Sequence, residues 1–464
     1  MIEFSKELSI QETNIPGLLI LNLPVHQDPR GWFKENWQRE KMVAAGMPDI
    51  GPVQNNISFN DEIGVTRGIH AEPWDKFVSL ASGKIFGAWV DLREGETFGE
   101  VFTSELDASM AVFVPRGVAN SFQTLESDTT YLYLVNDHWT QDVEYTYLNL
   151  ADETVAIPWP IPLENALLSE KDATHPRIDA VIPMKPKKTL VLGANGQLGL
   201  ALRKVMPDAD FVTRAEFDIT DHALYKNFPW KQYSTVINAS AYTAVDAAET
   251  SEGRKAAWQA NVTSVGWLAQ VCAQNRLTMV HVSSDYVFDG TSTSLYEEDE
   301  DFSPLGVYGQ TKAAADALVA TVPQHYIVRT SWVIGEGNNF VRTMVLLAER
   351  GIKPSVVNNQ IGRLTFTQDL AAGIQHLLSS KPAYGTYNLS NEGPASSWAD
   401  IAAQVYELIG HNPADVTGVT TEEYFAGKEG IAPRPLWSML DLSKIKSTGF
   451  IPASWEVRLR EYLA

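Results

Sequence analysis

Thr189-Leu-Val-Leu-Gly-Ala-Asn-Gly-Gln-Leu-Gly199 is the stretch that decides the fold. Residues 189–192 have the length and character of a short buried strand, and Gln197–Val205 has the spacing of a helix. Between them, Gly193, Gly196 and Gly199 permit a tight turn and let the backbone approach a diphosphate at the helix amino terminus. An ordinary strand-helix turn can carry the same glycines, so the weight rests on their position after a strand and before a helix. Apolar runs at 234–238, 278–283 and 325–329, separated by helical stretches, continue the alternation. Alternating β and α units predict a parallel, doubly wound α/β sheet of the Rossmann kind. Asp218 and Ile219 follow the second strand, where an adenosine would be read. Arg214 nearby could accept a 2′-phosphate.

Two further signals fall on the same sheet. Ser283-Ser284-Asp285-Tyr286 ends an apolar run, at the carboxyl edge where ligands bind. Tyr308-Gly-Gln-Thr-Lys312 places a phenol and an ammonium one helical turn apart on one face. A cation at that spacing should lower the Tyr308 pKa and make it a usable proton donor, and Ser284 could hydrogen-bond a substrate carbonyl. Taken alone, a Tyr-x-x-x-Lys spacing is usually a surface helix; three motifs in order on the right elements are not chance.

Upstream the pattern differs. Residues 2–162 read as short alternating runs broken by Gly, Pro, Asn and Asp, for example 77–80, 85–90, 111–114 and 130–135, with only 38–45 helical. Evenly spaced short strands predict an all-β barrel or jelly roll. Between the halves, 176–188 is rich in Pro and Lys without periodicity and reads as a linker. The domains are expected at 1–183 and 184–464, the second with a small substrate-binding part toward its carboxy terminus. In the first half His70 stands among the cations Arg30, Arg67, Lys76 and Lys171. A lone histidine is most often a satisfied polar residue. His26, His138 and His175 are not at ligand spacing from it, so no metal is expected. Proton abstraction beside a ketone is the alternative, needing a base, a cation for the enolate oxygen and an acid on the other face.

The bulk numbers fit two or three domains: 464 residues exceed one hydrophobic core. A net charge of -21 argues against nucleic acid. The single cysteine, Cys272, fits a reducing compartment, and no signal peptide or membrane span is read; a cytoplasmic protein is expected.

With these pieces in view, the stretch from Thr189 onward resembles dTDP-4-dehydrorhamnose reductase, of the extended short-chain dehydrogenase family. The matching runs include GANGQLG, Asn238 to Asp246, SSDYVFDG, Tyr308 with Lys312, Arg329 to Val333, Gly337 to Phe340 and Arg434 to Asp441. The resemblance implies Ser284, Tyr308 and Lys312 as catalytic residues. It places Gly193, Gly196, Gln197, Leu198, Gly199, Asp218, Ile219, Ala241, Tyr242 and Thr243 on an NADPH or NADH cofactor, with Tyr308 and Lys312. Ser284, Asp285, Trp332 and Arg434 would meet the sugar nucleotide. Arg363-Leu-Thr365 departs from the usual proline before the threonine.

Residues 17–176 resemble dTDP-4-dehydrorhamnose 3,5-epimerase, a metal-free cupin-fold family, through runs such as DPRGWFKE, RGIH, Lys76-Phe-Val, Tyr131-Leu-Tyr133 and Leu168-Ser-Glu-Lys-Asp172. The implied roles are His70 as base oriented by Asp172, Tyr133 as opposing acid and Lys76 on the enolate. Arg30, Glu35, Gln54, Asn56, Arg67, Glu144 and Lys171 would hold the nucleotide. The stretch PRGVANSF carries Asn120, a possible hydrogen-bond donor to the sugar, where the family has histidine; Gly87 replaces an aspartate. The expected protein epimerises and then reduces a dTDP-deoxyhexulose, and a homodimer is expected. The alternatives are a single-centre epimerase or substrate-binding first domain, or a nucleotide-sensing regulatory subunit.

Overall fold

The structure is a computed structural model describing residues 4, 7–141 and 143–464. The chain forms two compact units, Met1–Pro186 and Lys187–Ala464.

In the first unit two antiparallel sheets enclose a core. One runs Ser9–Glu12, Leu19–Asn22, Met110–Val114, Lys76–Ser82, Thr129–Val135, Gln54–Asn60; the other runs Thr146–Tyr147, Thr66–Ala71, Val118–Thr124, Ile85–Asp91, Val101–Leu106. Successive side chains of a strand alternate faces. On Ile85–Asp91 this sends Ile85 and Trp89 into the core between the sheets. Phe86, Ala88 and Val90 turn to an outer layer with Leu148, Leu150, Ile157 and Val181. The short helix Arg39–Ala44 starts where Gln38 accepts from Lys41 N at 2.7 Å.

That outer layer changes the reading of 176–188. Its Val181 is buried, Met184 N donates to Leu92 O at 2.7 Å and Glu94 N donates to Met184 O at 3.0 Å. Pro and Lys suggested a tether, but two apolar side chains, Ile178 and Val181, dock most of it onto the first unit.

The second unit is a six-stranded parallel sheet in the order Asp210–Val212, Lys188–Leu192, Tyr233–Asn238, Thr278–Ser284, His325–Thr330, Gly385–Asn388. Leu190, Val236 and Met279 pack on one face, and Val191, Ile237 and Val280 on the other, each under its own layer of helices. The order reverses between the strands ending at Leu192 and Asn238, which opens a crevice at their carboxyl ends. A third cluster, built from Ile334, Met344, Tyr406 and Trp455, forms a smaller carboxy-terminal part.

Candidate active sites

At the crevice each glycine of the turn has its own reason. Gly193 has φ +90°, and a Cβ there would meet Ala239 and Ser240 backbone at 2.9 Å. A Cβ on Gly199 would lie 2.3 Å from Gly193 O, so only glycine lets the helix Gln197–Val205 sit this close to the turn. Gly196 is the N-cap of that helix and a Cβ there would meet only Gly193 O, leaving the approach open to a ligand. A cavity of about 380 Å³ adjoins the turn, lined among others by Gly193, Arg214, Asp218, Ile219, Ala241 and Tyr242. Arg214 Nε donates to Asp218 Oδ2 at 3.0 Å. The open helix amino terminus and this cavity fit a dinucleotide. Leu198 is buried in the helix; Gln197 Nε2 donates to Asn338 O at 3.3 Å. Thr243 is exposed and does not line the cavity.

Ser284 closes the strand Thr278–Ser284; its hydroxyl donates to Asp285 Oδ1 at 2.9 Å and accepts from Tyr286 N at 3.2 Å. Tyr308 stands in the first turn of the helix Val307–Val319, edge-on to Tyr286 at 5.4 Å between ring centroids. Gly309 makes this possible, since a Cβ there would lie 2.2 Å from Tyr286 O. Burial and then the Asp285 charge push the Tyr308 phenol up to about 12, against a hydrogen bond with Ser284. The expected lowering by Lys312 is therefore not found. Lys312 points instead to Val282 O at 2.7 Å and His281 Nε2 at 3.3 Å, and burial brings its ammonium down to about 8. A phenol so raised is fully protonated at neutral pH, which a proton donor requires. Asp285 is buried and raised to about 6, chiefly by burial. Arg434 pairs with Asp246 at 2.8 Å, and its charge is felt by Tyr286. Trp332 stacks on Trp398 at 3.8 Å, with no room for a Cβ at Gly362 beneath it.

In the first unit His70 is the penultimate residue of the strand Thr66–Ala71, facing Asn120 across the pair with Val118–Thr124. The acid beside it is Glu72, which sequence reading missed. Its Oε1 lies 3.6 Å from His70 Nδ1 and 2.5 Å from Lys76 Nζ, and Trp74 Nε1 donates to Oε2 at 2.7 Å. Burial raises this carboxyl, but Lys76 and His70 outweigh burial and hold it at about 2. The i, i+2 spacing on an extended chain was the available signal, because it puts both side chains on one face. Asp172, expected to orient His70, instead accepts from Gly68 N at 3.4 Å and lies 4.0 Å from His175 Nε2. Asp172 lies inside the short helix Glu170–Ala173, where its backbone N donates to the N-cap Ser169 Oγ at 3.1 Å.

Lys76 lies 5.1 Å from the centre of the Tyr133 ring, whose phenol burial and Glu72 raise against Arg67. Arg67 donates to Asn60 Oδ1 at 3.0 Å, Gln54 donates to Asn56 Oδ1 at 3.0 Å, and Lys171 reaches Tyr147 OH at 3.3 Å. Arg30 and Glu35, on and just past the hairpin Val25–Asp28/Gly31–Lys34, pair locally with Asp28 and Lys41, both at 2.5 Å. Glu144 is exposed. Asn120 accepts from the buried Tyr131 OH at 3.0 Å, and the space an aspartate at Gly87 would need is filled by Trp89, 2.3 Å from a Cβ there. Among the described residues no group of three or more His, Cys, Asp or Glu could hold a metal ion, and no helix is long and apolar enough to cross a membrane.

Residues 187–464 match the family described as RmlD substrate binding domain, and residues 12–180 match dTDP-4-dehydrorhamnose 3,5-epimerase. The chain is 52% identical over 192 residues to the Protein RmlC homolog of Streptococcus pyogenes serotype M6, covering 40% of this chain and 96% of that protein. It is 35% identical over 299 residues to dTDP-4-dehydrorhamnose reductase of Aggregatibacter actinomycetemcomitans, covering 60% and 98%. The solved structure of dTDP-4-dehydrorhamnose reductase from Bacillus anthracis str. Ames in complex with NADP matches with a TM-score of 0.55 at 32% identity, covering 60% of this chain and 98% of that one. The chain thus belongs to both families at once, a dTDP-4-dehydrorhamnose 3,5-epimerase domain followed in the same polypeptide by a dTDP-4-dehydrorhamnose reductase domain.

Proposed function

We propose that this chain catalyses two consecutive steps, 3,5-epimerisation of dTDP-4-dehydro-6-deoxy-D-glucose and NAD(P)H-dependent reduction of the C4 ketone, giving dTDP-L-rhamnose. The observation that carries the reading is the union of two complete family matches with the Ser284, Tyr308 and Lys312 set at one sheet edge. That set also speaks against a purely regulatory role. A nicotinamide held at the glycine turn would supply the hydride. Ser284 holds the ketone oxygen, Tyr308 gives it a proton, and Lys312 sits one helical turn away to restore the charge balance.

In the first unit His70 removes the proton next to the ketone, Lys76 offsets the enolate charge and Tyr133 returns a proton from the other side. Glu72 stabilises the imidazolium formed at His70. The exposed Ile57 and Phe59 on the edge strand Gln54–Asn60 support a homodimer, and the buried, unpaired Cys272 fits a cytoplasmic location. The test is incubation of the purified chain with the keto sugar nucleotide and NADPH or NADH, following nicotinamide absorbance and product NMR. No nicotinamide oxidation with either cofactor would sink the reductase reading; an unepimerised reduced product would sink the epimerase reading.

A further inference from the structure

His281 is fully buried on the strand behind Ser284, and neither the sequence motifs nor the proposed steps use it. Its Nδ1 lies 3.2 Å from Asn238 Nδ2 and its Nε2 lies 3.3 Å from Lys312 Nζ. The Asn238 amide cannot be turned round, because its Oδ1 already accepts from Ser240 N at 3.2 Å and Ser240 Oγ at 2.6 Å. The group facing Nδ1 is therefore an N–H donor, Nδ1 must accept, and the ring proton sits on Nε2. That proton points at Lys312 Nζ, which itself donates to Val282 O at 2.7 Å. An N–H facing an ammonium makes no hydrogen bond, whereas an N–H facing a neutral amine makes one.

We propose that His281 is a positioning residue for the reduction. Locked by Asn238 with its proton on Nε2, it favours the neutral amine of Lys312 and so eases transfer of the lysine proton toward Tyr308. This rests on the reductase reading. The protons balance as follows. The Tyr308 O–H breaks as the new O–H at C4 forms; an N–H of the Lys312 ammonium then breaks and the Tyr308 O–H re-forms. The amine left behind accepts from His281 Nε2–H until solvent recharges it.

The surroundings agree. Burial lowers Lys312 to about 8, opposed by Asp316 on its own helix, and burial followed by the Lys312 charge keeps His281 well below its usual range. The other charged neighbours are Arg329, paired with Asp316 at 3.0 Å from the adjacent strand, and Asp285 across Tyr308. Asp285 titrates near 6, well apart from the lysine.

The test compares reductive pH profiles of the full chain and its variants. In His281→Leu the alkaline limb should rise by about one pH unit and the turnover at neutral pH should fall about tenfold. His281→Gln, which keeps an N–H donor near the Nε2 position, should restore both. Asn238→Asp should also raise the limb, because a carboxylate there accepts from Nδ1–H and frees Nε2 to accept from the ammonium. Nitrogen NMR of the wild-type imidazole should report the Nε2–H tautomer, a readout that needs no folded variant. An active wild type with an Nδ1–H imidazole, or a folded Leu variant with an unmoved profile, overturns the inference. A wild type that oxidises no nicotinamide fails the reductase reading instead.

Discussion

The carboxylate of Glu72 stands 2.5 Å from the ammonium of Lys76, and both side chains are about 95% buried. Removing one charge of such a pair leaves the other unpaired in a poorly solvated place, at a cost of ~3–5 kcal/mol. Glu72→Gln should therefore lower the melting temperature of the first unit. It should also slow solvent deuterium exchange into the keto sugar by at least about tenfold, since the base loses its acid neighbour. Reduction of an already epimerised keto sugar should proceed at the wild-type rate. Unchanged exchange and unchanged melting would show that the pair has no part in the chemistry.

Asn120 cannot take a proton, so His70 has no substitute directly opposite it. His70→Ala should abolish deuterium uptake at both C3 and C5 while the wild type exchanges at one or both. Residual exchange at either carbon in the variant would point to a second base.

Tyr308→Phe should reduce the nicotinamide-dependent rate by ~100-fold to ~10,000-fold, the usual worth of a positioned proton donor. Deuterium exchange from the first unit should continue. Loss of both activities together would contradict separate sites.

Asp285 gives a pH-dependent stability prediction. Its carboxyl is raised from 3.8 to about 6 in the folded protein. Above that pH the folded state carries a buried charge costing ~3 kcal/mol, and the cost fades as pH falls toward the unfolded value. Asp285→Asn should melt above wild type at about pH 8, with the gap closing by about pH 4, and should lose reductase activity. A gap of constant size across that range would assign the gain to something other than the charge.

Arg214 neutralises Asp218 at the edge of the dinucleotide cavity. Without it the carboxylate would repel a 2′-phosphate. Arg214→Ala should raise KM for NADPH by about tenfold or more and leave KM for NADH nearly unchanged. Equal effects on both would remove the residue from cofactor discrimination.

The fold was legible because both patterns are periodic: the switch from alternating runs to β-α units is visible on either side of 176–188. The helix 197–205 and the placement of Ser284 and Tyr308 follow from turn chemistry and spacing alone. What stayed hidden depended on contacts distant in sequence. Burial set the Tyr308 phenol, and Lys312 turned to His281, a residue with no motif of its own. Glu72 escaped notice because a carboxylate after Ala71 reads as ordinary polar sequence until Lys76 and Trp74 fold onto it.

The indole of Trp89 lying over Gly87 also bears on redesign of the first unit. Its ring is buried in the core, so an acidic side chain at Gly87 requires Trp89 to move or to be made smaller. Asn120, meanwhile, is tied to Tyr131. A designer who wants an acid at Gly87 and a histidine at Asn120 therefore has to make room at Trp89 and provide a new partner for Tyr131 in the same design.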